Sequence, residues 1–111
     1  MSCVFCNIIT GAIPSNRRYE DEKCIAFDDI EPVAPVHILV VPKEHLTSVM
    51  AVEDKALLGH LLSVAREQAK AQGLDENGFR IVINTGKDGN QSVPHLHLHV
   101  IGGRSMQWPP G

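Results

Sequence analysis

Residues 95–100 read His95-Leu96-His97-Leu98-His99-Val100. Successive side chains of a strand point to opposite faces, so strict alternation marks a strand with one face buried. Leu96, Leu98 and Val100 then face a core, and His95, His97 and His99 share the other side. Three readings of that row are open: the polar outer face of an ordinary strand, a set of metal ligands, or a nucleophile with its proton donor. Imidazole suits the last two because it ligates metals and exchanges protons near neutral pH. Alternate Cα atoms lie about 6.5–7 Å apart, so the rings can converge on one small ligand without all holding one metal.

The rest of the chain supplies partners for that strand. Lys23 to Asp28, Val36 to Val41 and Phe79 to Asn84 read as further strands, the second β-branched, apolar and stopped by Pro42. Asp54 to Gln72 carries Leu57, Leu58, Leu61, Leu62, Ala65 and Ala69 as one apolar stripe and reads as the long helix, with Gly73 as its stop. His60 falls off that stripe and is expected in solvent. Val4 to Thr10 predicts a short helix before Gly11. Helical pattern does not alternate with strands, which points to an α+β fold with an antiparallel sheet of about five strands. Four of the five can be placed.

At 111 residues the chain is a single domain, residues 1–111. It is 43% hydrophobic and 21% charged, which excludes a disordered chain, a collagen and a coiled coil. A formal net charge of −3 without a basic run offers no footprint for nucleic acid. No stretch approaches the roughly 18 apolar residues of a membrane span, and Met1 to Cys6 has no leader pattern, so a cytoplasmic location is expected. Cys3-x-x-Cys6 in a reducing compartment points to metal or redox chemistry, whereas Cys24 reads as a small apolar strand residue.

The loop Asn84-Thr85-Gly86-Lys87-Asp88-Gly89-Asn90-Gln91-Ser92-Val93-Pro94 leads into the histidines. Its glycines and amides permit close backbone approach and offer donors, features of an anion cradle as well as of plain turns. From Gln91 to Val100 the sequence resembles the histidine triad (HIT) superfamily motif, His-x-His-x-His with hydrophobic x. Phe5-Cys6-x-Ile8-Ile9, Ile13-Pro14, Phe27-x-Asp29-Ile30, Pro35-x-His37, Val41-Pro42-Lys43-x-His45 and Leu57-Leu58-Gly59-His60-Leu61 are similar to that family along the whole chain. The ending, Gly102-Gly103-Arg104 through Trp108-Pro109-Pro110-Gly111, resembles the branch of histidine triad nucleotide-binding proteins. Two departures are Asn90, where relatives often carry Gly, and Pro94, where they commonly carry an aromatic residue.

The resemblance implies a HIT-like fold with one long and one short helix, a homodimer, and hydrolysis of purine nucleoside 5′-phosphoramidates through a nucleotidyl-histidine intermediate. Carried onto this chain, His97 is the nucleophile, His99 and Ser92 meet the α-phosphate or leaving group, and His37 supports them. Asp29 takes the ribose hydroxyls. Val4, Phe5, Ile8, Phe27 and Ile30 wall the base, and Asn84, Asn90 and Gln91 line the ribose and phosphate path. Cys3, Cys6, His45 and His95 have the ligand types of a tetrahedral zinc site, structural in role, and some members of the superfamily hold zinc on such a set. The chemistry suits these types: a neutral imidazole attacks without prior deprotonation, and a second histidine near pKa 6.5 can protonate the leaving nitrogen. Alternative readings are a dinucleoside polyphosphate hydrolase, against which the Trp-Pro-Pro-Gly tail argues, a nucleotide-sensing dimer with little turnover, and a zinc-binding structural module.

Overall fold

The computed structural model describes residues 2–111. Helix α1 (Val4–Thr10) leads into strand β1 (Arg17–Glu20), followed by β2 (Cys24–Asp28) and β3 (Val36–Pro42). A single 3₁₀ turn at Val49–Ala51 precedes α2 (Lys55–Ala71), and β4 (Phe79–Val82) and β5 (Leu98–Gly102) complete the order. The five strands form one sheet in the order β1-β2-β3-β5-β4, every neighbouring pair antiparallel. The fold is the α+β arrangement that the sequence predicts.

Both faces of the central strands are covered, which explains the unbroken apolar run of β3. Cys24 and Ala26 of β2, Ile38 and Val40 of β3, and Leu96, Leu98 and Val100 pack against Leu57, Leu61, Val64, Ala65 and Ala69 of α2. On the opposite face Ile25, Phe27, Leu39 and Val41 pack against Phe5 and Ile8 of α1. The alternation of residues 95–100 thus divides between two cores, with the histidines on the α1 side.

Helix α2 begins at an Asp54 cap, whose carboxylate accepts from the Ala56 N–H at 2.9 Å, and closes at Gly73 with φ of +73°. Its buried stripe includes Val64 and Gln68, whereas Leu62, expected on the stripe, is 45% exposed. The fifth strand is β1, Arg17-Arg18-Tyr19-Glu20, which carries no apolar alternation because it is an exposed edge. Its register skips Arg18, a bulge. β5 starts at Leu98, three residues later than the alternation predicts, because the approach bonds to other loops: Leu96 N–H donates to Leu46 O and His95 N–H to Val93 O. β4 likewise ends at Val82, so Asn84 lies in the following loop. No described helix is long and apolar enough to cross a membrane.

Candidate active site and metal centre

His37 of β3 stands opposite Ile101 in the β3–β5 register and Leu39 opposite His99, which brings His37 and His99 onto one face. Val33 N–H donates to His37 Nδ1 at 3.1 Å, so a neutral His37 ring carries its proton on Nε2. That Nε2–H donates to His99 Nδ1 at 2.8 Å, and Asp29 Oδ2 lies 3.4 Å away. His99 then carries its own proton on Nε2, which is buried without a partner. Burial pulls the His37 pKa down against the pull of Asp29. Burial, then His97 and His37, lower His99 to about 4. Both rings are therefore neutral near pH 7. This corrects the expectation of a proton donor near pKa 6.5: in the free site His99 is a neutral hydrogen-bond donor.

His97 is buried, and its Nδ1 donates to the carbonyl oxygen of His95 at 2.7 Å. In the neutral ring this leaves Nε2 as the basic nitrogen. The His97 ring lies 4.9 Å from that of His99 and 5.0 Å, edge to face, from Phe5. A cavity of about 450 Å³ runs over these rings, and Asp29, His37, Asn84, Asn90, Ser92, His97 and His99 all line it. Glu31, Val33, Leu39 and Val93 line it too, and sequence reasoning did not select them. The turn between β2 and β3, from Pro32 to Pro35, is where Val33 holds His37.

A second, mostly apolar cavity of about 210 Å³ adjoins through Asp29 and Phe5. Val4, Phe5, Ile8, Phe27 and Ile30 wall it together with Ile13, Pro14 and Ser15. Phe5, Ile8 and Phe27 belong to the core as well, so the inner wall is the exposed side of a packed cluster. Ile30 is 91% exposed and forms the rim. Asp29 is also a turn residue: its Oδ1 accepts from Glu31 N–H at 2.9 Å.

The loop before the histidines is held from within. Gln91 Oε1 accepts from Gly86 N–H at 3.1 Å, and its amide nitrogen donates to Thr47 O at 2.7 Å and Val93 O at 3.0 Å. The Gln91 side chain therefore holds the loop, and it does not line either cavity. Asn90, the departure from glycine, has φ of +59°, and Asn is one of the few side chains that tolerate that left-handed conformation.

Cys3, Cys6, His45 and His95 converge at the other end of the row. His95 Nε2 donates to Pro42 O at 2.9 Å, which turns the Nδ1 lone pair toward the cluster. His95 Nδ1 lies 3.3 Å from Cys3 Sγ, 3.6 Å from Cys6 Sγ and 3.1 Å from His45 Nδ1, and Cys6 Sγ lies 3.3 Å from His45 Nδ1. Zinc bonds of about 2.0–2.1 Å to nitrogen and 2.3 Å to sulfur give tetrahedral edges of about 3.3 and 3.6 Å. The four donors fit zinc in number, type and spacing.

A third cluster, Asp21, Cys24 and His60, corrects the expectation for His60. His60 is not free in solvent: its Nε2 lies 2.6 Å from Asp21 Oδ2. Cys24 has a polar neighbour: burial, then Asp21, push its thiol up to about 12. Asp21 also accepts from Tyr19 O–H and from the backbone N–H groups of Lys23 and Cys24. Burial opposes its charge, but these bonds outweigh burial and hold its carboxyl well below the usual range. A carboxylate with four partners, beside a thiol held protonated, is a staple between the β1–β2 turn and α2.

The HIT domain model matches residues 10–106. The chain belongs to the HIT family. It is 54% identical over 112 residues to the 14 kDa zinc-binding protein of Brassica juncea, covering 97% of this chain and 98% of that one. The crystal structure of a HIT family hydrolase from Legionella pneumophila Philadelphia 1 superposes with a TM-score of 0.95 at 46% identity, covering 99% and 100% of the two chains. The histidine triad nucleotide-binding protein of Candida albicans gives a TM-score of 0.86 at 34% identity, covering 97% of this chain and 83% of that one.

Proposed function

We propose that this HIT protein hydrolyses the P–N bond of purine nucleoside 5′-phosphoramidates through a nucleotidyl-histidine formed on His97. The hydrogen bond from His97 Nδ1 to His95 O carries the reading, because it fixes the tautomer with a nucleophilic Nε2. The base would occupy the apolar cavity and Asp29, between the two cavities, would accept from the ribose hydroxyls. Ser92, Asn84 and Asn90 would face the ribose and phosphate.

In the first step His97 Nε2 bonds to phosphorus as the P–N bond breaks. The leaving nitrogen must receive a proton. A phosphoryl anion docking beside the unpartnered His99 Nε2–H raises the proton affinity of that ring, so the proton that enters with the substrate goes to His99 Nδ1, releasing the bond from His37, and His99 gives its Nε2 proton to the nitrogen. In the second step water attacks phosphorus, His99 takes the water proton, and His97 leaves as a neutral imidazole.

Charge favours this class over dinucleoside polyphosphates. The larger cavity is lined by Asp29 and Glu31 and by no Lys or Arg, a poor setting for a chain of phosphates.

We also propose zinc on Cys3, Cys6, His45 and His95, a cluster supported by its donor set and by the name of the Brassica juncea relative, a 14 kDa zinc-binding protein. Held by these four residues, zinc would cross-link the start of α1, the loop after β3 and the approach to β5. A homodimer is proposed as well: β4 is an open sheet edge, and α2 leaves Leu62 exposed.

Hydrolysis of adenosine 5′-phosphoramidate and of a diadenosine polyphosphate, each by wild type and His97→Ala, tests the activity. Release of adenosine monophosphate (AMP) from the phosphoramidate alone, lost in the variant, is expected. Turnover of the dinucleotide alone, or turnover that survives His97→Ala, overturns the reading.

A further inference from the structure

The four metal-site residues come from three separate segments: Cys3 and Cys6 from α1 and its cap, His45 from the loop after β3, and His95 from the approach to β5. Two of these segments also build the nucleotide cavities. Cys6 is flanked by Phe5, and Ile8 lies on the same short helix; both wall the apolar cavity, and Phe5 lines the larger one as well. His95 lies two residues before His97, and its carbonyl oxygen holds the His97 ring. Phe5 joins the two segments, since its ring meets His95 at 5.9 Å and His97 at 5.0 Å, both edge to face.

Helix α1 has seven residues, too few to be stable alone. Besides the metal-site donors, Phe5, Ile8 and Ile9 at the smaller core, the bond from Ile13 N–H to Asn7 O and Arg17 donating to the carbonyls of Ile8 and Ile9 hold it. The Cys3 and Cys6 anchor therefore shares in its placement. A metal that locks Cys6 to His95 fixes Phe5 against His97, and a base packed on Phe5 and Ile8 presses the same helix into the same position.

We infer that the metal site and the nucleotide site are thermodynamically linked: zinc tightens nucleotide binding, and nucleotide tightens zinc binding by the same factor. Equal factors are required because each ligand favours one shared arrangement of α1 and residues 95–97. The inference rests on the nucleotide reading of the cavities given above.

The test uses AMP and zinc, with no turnover. Calorimetry gives the AMP affinity of zinc-loaded and zinc-stripped wild type, and chelator competition gives the zinc affinity with and without saturating AMP. Zinc removal is expected to weaken AMP binding about 5- to 50-fold, with the same factor in the zinc affinity. Equal AMP affinities in the two forms overturn the linkage alone, whereas no AMP binding in either form overturns the nucleotide reading beneath it. Zinc release from loaded protein into excess chelator avoids the stripped state if that state does not fold. Saturating AMP should slow release several-fold. An unchanged rate, or equal slowing by inorganic phosphate, overturns the linkage.

Discussion

His97 Nδ1 lies 2.7 Å from the carbonyl oxygen of His95, its neighbour on the same face. A side chain is thus oriented by the backbone of the residue whose ring belongs to the metal cluster. Removing the His97 ring should leave the fold intact, because Leu96, Leu98 and Val100 hold the segment from the other face. We expect His97→Ala to lower kcat by at least about 10³-fold, a barrier increase of about 4 kcal/mol, with AMP still bound. Steady-state kinetics beside calorimetry check it. Retention of more than about one-tenth of kcat, a loss under roughly 1.4 kcal/mol, rules out the covalent role.

His99 gives a pH signature. Its pKa in the fold is about 4, below the ordinary 6.5. Between those values the unfolded chain binds a proton that the folded chain refuses. Protonation therefore favours unfolding, and stability falls as pH drops from about 6.5 to 4, then levels off in this contribution. Urea unfolding of wild type and His99→Gln at several pH values isolates it. The wild type should lose more stability than the variant across that window. Parallel curves would show that His99 is not held neutral.

The loop over the larger cavity depends on Gln91 and Gly89. A Cβ at Gly89 would fall 2.5 Å from Thr85 O and 2.8 Å from Thr85 N, both backbone atoms. Gly89→Ala must therefore move the loop, and Gln91→Ala removes three hydrogen bonds, a cost of about 1–2 kcal/mol given the partial exposure. Both variants should speed amide exchange in residues 84–92 and raise KM while sparing the core. Unchanged exchange in the loop would contradict the clamp.

Much of this was legible in the sequence, and the exceptions share a cause. The alternation at 95–100 placed Leu96, Leu98 and Val100 on the α2 face and the histidines opposite, because pleat geometry depends only on residue spacing. The stripe of α2 was legible for the same reason, except at Leu62, which lies near its margin and remains exposed. β1 was not, since an edge strand needs no apolar face. Nor was the Asp21–His60 pair, whose members are 39 residues apart and meet only when the β1–β2 turn packs on α2. The neutrality of His99 escaped as well: it arises from burial and from His97 and His37, neither of which composition reveals. The Gln91 side chain matched a motif, but only its three partners show that it serves the loop.

The Asp21 staple separates structural from metal-binding use of similar residues. Asp21 accepts from four groups, and His60 accounts for one of them. Asp21→Ala leaves two backbone N–H groups without their acceptor and should cost about 2–3 kcal/mol. His60→Ala loses one partly exposed contact and should cost less than about 1 kcal/mol. Neither should change the zinc content, expected at one equivalent per chain, because Cys3, Cys6, His45 and His95 are untouched. Denaturant unfolding gives the two costs, and elemental analysis gives the metal. A drop in bound zinc in either variant would move metal binding to the β1–β2 turn, and equal destabilisation by the two would mean that the His60 contact, rather than the turn, carries the staple.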